Sequence, residues 1–169
     1  INLLGGIASA EPTWRPTAPM LFVRDTHTAT TLADGRVLVA GGGTGSALVT
    51  ESELFHSIGE QWTKASALTQ GRVQHTATLL SDGTVLVVGG ATYDTILASA
   101  ERYLPTTDEW IPAGTLSVRR MNHVAVRLLN GNVMVIGGST RNANGQDVTT
   151  ATTEIYDANS NSWTPTASM

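Results

Sequence analysis

Cysteine is absent from the 169 residues, and with it go disulfides, zinc–thiolate sites and thiol catalysis. Charge is sparse: Asp, Glu, Lys and Arg make up 14%, against about a quarter of an ordinary globular domain. The formal net charge of −4 provides no basic field of the kind a nucleic acid or an anionic membrane surface needs, so neither is an expected partner. No apolar run is long enough for a membrane-spanning helix. Helical periodicity is missing as well: no i, i+3, i+4, i+7 pattern of apolar residues is sustained over successive turns. What is present is 41% hydrophobic residues, 17 Gly and abundant Thr. That composition suits β-structure, in a chain long enough to bury one good core.

Sixteen residues organise the rest. From His75 the text runs through Asp82-Gly83 to Gly89-Gly90. It reads as two strands, an Asp-Gly hairpin turn, and a glycine pair that stops the second strand. The same text occupies 27–42, with Asp34-Gly35 and Gly41-Gly42, and 123–138, with Asn130-Gly131 and Gly137-Gly138. The hairpins 27–42, 75–90 and 123–138 start 48 residues apart. Three residues before His27, His75 and His123 stand Arg24, Arg72 and Arg120. After each glycine pair come a variable loop and then a Glu-x-aromatic segment: Glu53-Leu-Phe55, Glu101-Arg-Tyr103, Glu154-Ile-Tyr156. Nine residues after each Glu stands a tryptophan, Trp62, Trp110 or Trp163, and Trp14 opens a heptad of the same type at 14–20. The third unit is longer, and its extra residues fall in the loop 139–147. Each unit therefore predicts four short strands, of which the second is covered on both faces because Val37-Leu-Val39, Val85–Val88 and Val133–Ile136 are unbroken apolar runs.

Glycine pair, Glu-x-aromatic and tryptophan at these offsets resemble kelch repeats, and the His-led text resembles the bacterial kelch type; the resemblance covers 14–169. It implies an all-β fold of four-stranded antiparallel propeller blades, three per chain, with the His-led strand innermost and the Trp strand outermost. Phe55 stands where the other copies have Tyr, and His56-Ser57 where the second has Leu104-Pro105, which predicts a less regular third strand in the first blade. Propellers typically hold four to eight blades, so three do not close a ring. Either two chains pair head to tail as a six-bladed homodimer, or the chain is a fragment of a longer propeller. The strand at 14–20 is an extra outermost strand that could pair onto a neighbouring chain. Residues 1–13 read as a linker or as the remnant of a signal segment ending in Ala8-Ser-Ala10; the second reading makes the protein secreted or bacterial cell-surface.

The repeated residues read first as scaffold. His27, His75 and His123 could ring a metal in the channel, but a residue every blade carries is expected to serve every blade, by a hydrogen bond near the start of the inner strand, and no metal or cofactor is expected. The glycines Gly41, Gly42, Gly89, Gly90, Gly137 and Gly138, the glutamates Glu53, Glu101 and Glu154, and Trp14, Trp62, Trp110 and Trp163 belong with them. Arg24, Arg72 and Arg120 carry two readings. By resemblance to kelch adaptors of ubiquitin ligases they would line a cationic mouth for acidic peptides; by chemistry they would brace Glu53, Glu101 and Glu154. Binding candidates peculiar to one blade are Phe22, Tyr93, Asp94, Arg119, Arg141, Asn142 and Asn144. The stretch 157–161 resembles half a calcium loop but lacks its glycine and distal glutamate, and reads as a polar turn. No acid–base pair stands out, so the expected role is a binding or interaction module for a protein, peptide or glycan. The alternative is a carbohydrate-active propeller resembling galactose oxidase or the sialate mutarotases; the copper site of the former needs a cysteine that is missing here.

Overall fold

A computed structural model describes residues 14–168; the expected linker or signal remnant at 1–13 and the last residue, Met169, lie outside the described residues. Three four-stranded antiparallel sheets follow one another along the chain. The first is β1 (Thr28–Thr31), β2 (Val37–Ala40), β3 (Ser52–His56) and β4 (Gln61–Ala65). The second is β5 (Thr76–Leu79), β6 (Val85–Val88), β7 (Ser99–Leu104) and β8 (Glu109–Thr115). The third is β9 (Val124–Arg127), β10 (Val133–Ile136), β13 (Thr153–Asp157) and β14 (Ser162–Thr166). Each is a simple meander from inner to outer strand, and the inner hairpin turns through a three-residue loop that ends in a left-handed glycine, Gly35, Gly83 or Gly131.

The blades pack face to face. Leu32, Leu38 and Leu54 of the first meet Val85 and Tyr103 of the second. Leu80, Leu86 and Val88 of the second meet Val133, Val135 and Tyr156 of the third. Strand period decides which residue goes to which side: Val85 and Val87 face backward to the first blade while Leu86 and Val88 face forward to the third. All four are fully buried, so the second strand of the middle blade is covered on both sides as its apolar text requires. In the end blades one side stays open: Val37 lines the free face of the first, and Met134 and Ile136 of the third are partly exposed.

Three expectations are corrected. The first blade's third strand is regular, with an unbroken register from Ser52↔Ala65 to His56↔Gln61. The register shift falls in the second blade, between Ser99 and Glu101, where Gly114 at positive φ absorbs the extra residue. The third blade's long loop is structured: β11 (Ser139–Arg141) and β12 (Asp147–Thr149) form a two-stranded ribbon, closed by Asn142, whose Oδ1 accepts from Asn144 N and Gln146 N. Residues 14–20 form no strand, because a fourth strand needs a third to pair with, and the third strands present already have their own partners in β4, β8 and β14.

Candidate functional site

The repeated polar side chains are consumed inside the scaffold. Arg72 is wholly buried; its Nη1 donates to Gly89 O (2.9 Å) and Ser99 O (3.0 Å) and its Nη2 to Glu101 Oε1 (2.6 Å). Arg24 repeats this with Gly41 O, Glu51 O and Glu53, and Arg120 with Gly137 O, Thr152 O and Glu154. The other carboxylate oxygen holds the chain entering the blade, accepting from Leu21 N, Thr69 N or Ser117 N. Burial alone would raise the Glu154 carboxyl, but the hydrogen bonds from Ser117, Arg120 and Val118 outweigh it and hold it below the usual range. A fork-shaped cation that satisfies two carbonyls and a carboxylate at once is a task for Arg and not Lys. The cationic mouth expected of Arg24, Arg72 and Arg120 is therefore corrected: their guanidinium groups are sealed under the loops.

The histidines are latches between blades. His75 Nε2 lies 3.0 Å from Thr28 Oγ1 of the first blade, and His123 Nε2 lies 2.9 Å from Thr76 Oγ1 of the second. Each ring occupies the space left by a glycine of the preceding pair: a Cβ on Gly41 would stand 2.5 Å from His75 Cε1, and one on Gly89 would stand 3.1 Å from His123 Cε1. Burial, and then the charge of Arg72, pushes His75 down to about 3; burial and Arg120 push His123 down to about 4. Both rings are thus neutral near pH 7. The expected hydrogen bond near the inner strand is present, but it crosses to the neighbouring blade, and the rings are buried at the seam instead of lining a channel wall. Thr28 and Thr76 escaped notice as functional residues because they sit inside repeated text; the signal was the third copy, which has Val124 there.

Tryptophans complete the scaffold. Trp62 tilts against Phe55, Trp110 against Tyr103 and Trp163 against Tyr156, with ring centroids 5.1–5.2 Å apart. Their indole N–H groups donate to the carbonyls of Ala18, Ser66 and Ala113, in each case on the outer segment that precedes the blade. Trp14, by contrast, is fully exposed. Asp157 Oδ1 accepts from Asn159 N and Ser160 N, making the expected polar turn.

Residues without a counterpart in other blades gather at the rim formed by the loops after the glycine pairs. Tyr93 is 58% exposed, and its hydroxyl oxygen lies 3.6 Å from where a Cβ on Gly43 of the first blade would stand. Arg141 reaches back from the third blade's ribbon, donating to Asp94 O (3.1 Å) and, through Nε, to Asp147 Oδ1 (2.9 Å). The Arg119 side chain is exposed, with one long contact of 3.4 Å to Thr95 Oγ1. Tyr93, Asp94, Arg119 and Arg141 thus belong to one rim spanning three blades, and Asp147, which no pattern in the sequence marked, joins them. Asn142 and Asn144 lie on the ribbon beyond, Asn142 being occupied with its turn. Phe22 stands apart, its N–H on Glu53 and its ring between Arg24 (5.8 Å) and Lys64 (5.2 Å). Among the described residues no three His, Asp or Glu side chains gather as a metal site would need.

Comparison with known proteins agrees with this construction. Among solved structures, that of the protein YjhT is similar, with a TM-score of 0.71 and 17% identity over 91% of this chain and 54% of that one. The likeness shows the fold, and this chain spans about half that protein's length. No curated protein matches in sequence. The Kelch motif model matches residues 73–117 and 120–169, the second and third units, whose Gly-Gly, Glu-x-Tyr and Trp positions are the ones that brace, latch and cover the blades. With more than half of its residues so matched, the chain belongs to the Kelch motif family.

Proposed function

We propose that this protein is a binding module whose rim holds a protein or peptide segment presenting a carboxylate beside an apolar group. One observation carries the reading: the repeated polar side chains are spent inside the scaffold, whereas Tyr93, Asp94, Arg119 and Arg141, each peculiar to its blade, converge on one edge. The exposed Arg119 guanidinium suits a carboxylate, and the exposed Tyr93 ring is the kind of rigid, amphipathic anchor on which interfaces concentrate their energy. Binding, not catalysis, is the proposed role. It does not depend on which blades complete the ring, a second copy of this chain or others.

The test is a peptide library and a glycan array probed with the parent protein and with Y93A and R119E. Acidic peptides should be retained by the parent and weakened about tenfold or more by each substitution, with the melting temperature unchanged. Retention of the same peptides by both variants would refute it. A sugar stacked on Tyr93 beside Asp94 is the second reading, favoured by the exposure of that one ring; glycan signals lost in Y93A but kept in R119E would establish it.

A further inference from the structure

We infer that Asn144, in the turn of the third blade's ribbon, is a site of spontaneous deamidation, a modification that turns a neutral side chain beside the rim into a carboxylate. Two Asn-Gly pairs occur in the chain, Asn130-Gly131 and Asn144-Gly145. At such a pair the glycine nitrogen, uncrowded by any side chain, can attack the asparagine Cγ. The N–Cγ bond forms, the Cγ–Nδ2 bond breaks, and the side-chain nitrogen leaves as ammonia with the proton of the glycine N–H. Water then opens the cyclic imide at one of its two carbonyls, giving either Asp or an isoaspartyl link that routes the backbone through the side chain.

The two pairs sit in turns of one design. Leu128 N donates to Asn132 O and Gly131 N to Leu128 O, just as Asn142 N donates to Gln146 O and Gly145 N to Asn142 O. The attacking nitrogen is thus equally engaged in both turns, at 3.0 Å in each case. The difference lies at the side chain it attacks. In the blade hairpins the residue before the glycine is held: Asp34 Oδ1 accepts from Arg36 N, Asp82 Oδ1 from Thr84 N and Asn130 Oδ1 from Asn132 N. The matching donor in the ribbon, Gln146 N, is taken by Asn142 Oδ1 (2.9 Å). Asn144 is tied by its backbone N–H, also to Asn142 Oδ1 (3.0 Å), and among the described residues its carboxamide has no hydrogen-bond partner.

The surroundings differ in the same direction. A Cβ on Gly131 would stand 3.2 Å from Ser81 Oγ of the second blade, whereas Gly145 has nothing within 4 Å, and residues 143–149 are all exposed. The Asn144 carboxamide can swing over the Gly145 nitrogen without breaking a contact; that of Asn130 must first give up Asn132 N and turn beside the second blade. The products differ too. Asp at position 130 is what the first and second blades already carry, as Asp34 and Asp82. Asp at position 144 is a new charge in the turn between Arg141 and Asp147, which are paired at 2.9 Å, while Arg141 also donates to Asp94 O (3.1 Å). A second carboxylate within reach of that ribbon makes the rim less cationic and so weakens its hold on acidic ligands; this last consequence rests on the proposed function, whereas the modification itself does not.

Peptide mapping by mass spectrometry tests this on the full chain, aged in neutral and mildly alkaline buffer, with a parallel sample held in guanidinium chloride. In the denaturant, where neither turn persists, the two Asn-Gly pairs should convert at matching rates. In the folded chain Asn144 should convert about fivefold or more faster than Asn130, the rate equivalent of the one net hydrogen bond that Asn130 must break. Asn144→Gln should abolish conversion at that position. Equal rates at the two positions in the folded chain, a faster Asn130, or an Asn144 that converts only in denaturant would each overturn the inference. Binding of a glutamate-rich peptide set by Asn144→Asp and Asn144→Gln reads the effect on the rim. Weaker retention by the Asp variant is expected, and equal retention by the two would remove that effect. If the parent and both variants retain no acidic peptide, the proposed function fails while the mass-spectrometric result stands.

Discussion

Replacing Arg72 by alanine should cost this protein about a fifth or more of its stability while leaving its surface untouched. The side chain has no exposed area and makes four hydrogen bonds of 3.2 Å or less: to Gly89 O, Ser99 O, Ser99 Oγ and Glu101 Oε1. Its removal leaves the Glu101 carboxylate, 4% exposed, with Thr69 N as its remaining donor. Ser99 O keeps Gly89 N, but Gly89 O loses its guanidinium. Breaking a buried pair from one side costs about 3–5 kcal/mol, against a total of about 5–15 kcal/mol for a domain. With a urea dependence of about 2 kcal/mol per M, the unfolding midpoint followed by tryptophan fluorescence should fall by about 1.5–2.5 M. Arg72→Lys should land between, because one ammonium cannot span two carbonyls and a carboxylate. Arg119→Ala, an exposed side chain with one long contact to Thr95 Oγ1, should shift stability by no more than about 0.5 kcal/mol. If Arg72→Ala unfolds with the parent and loses only ligand, the brace is not what these arginines are for, and they belong to the binding face after all.

Other outcomes follow from the same contacts. Folding holds His75 near 3 and His123 near 4, whereas in the unfolded chain both titrate near about 6.5. The unfolded state therefore takes up protons first, and stability present above about pH 6.5 is lost as pH falls towards those values, at up to about 1.4 kcal/mol per pH unit for each ring; urea midpoints from pH 7 to 4.5 measure it, and a flat profile refutes it. Thr28→Val removes the hydroxyl from His75 Nε2 and should cost about 1 kcal/mol, read as a lower melting temperature. Gly41→Ala should cost more than about 2 kcal/mol, since its Cβ would sit 2.7 Å from Arg72 O as well as against His75 at a φ of +66°. Gly59→Ala, also at positive φ but with nothing within 4 Å, should cost about 1 kcal/mol.

Much of the architecture was legible from residues alone, and the reasons are local. Asp82-Gly83 and its copies mark the tight hairpin turns, unbroken runs such as Val85–Val88 announce a strand buried on both faces, and a 48-residue offset sets the three hairpins in phase. Arg and Glu at one repeat position could be recognised as a pair, but not as a buried one, because nothing in a sequence gives the depth of a side chain. The ribbon Ser139–Thr149 was hidden for a different reason: its pairing rests on Asn142 satisfying two backbone N–H groups across the turn, an arrangement that polar composition reads as plain loop. The rim was legible as a set of unlike residues, but their meeting was not, since Tyr93, Arg119 and Arg141 come together only when successive blades stack.

The sequence by itself determined the four strands of each of the three blades and their order within the blade, because these follow from turn chemistry, strand period and counting. The tertiary structure alone decided which way each blade faces and what meets across each seam. His75 finds Thr28 and His123 finds Thr76 only across a seam, whereas Val124, at the position those threonines hold, stands exposed on the end blade. Complementarity between surfaces depends on which side chains share a face at packing distance, and that is set when the sheets twist and stack, not along the chain.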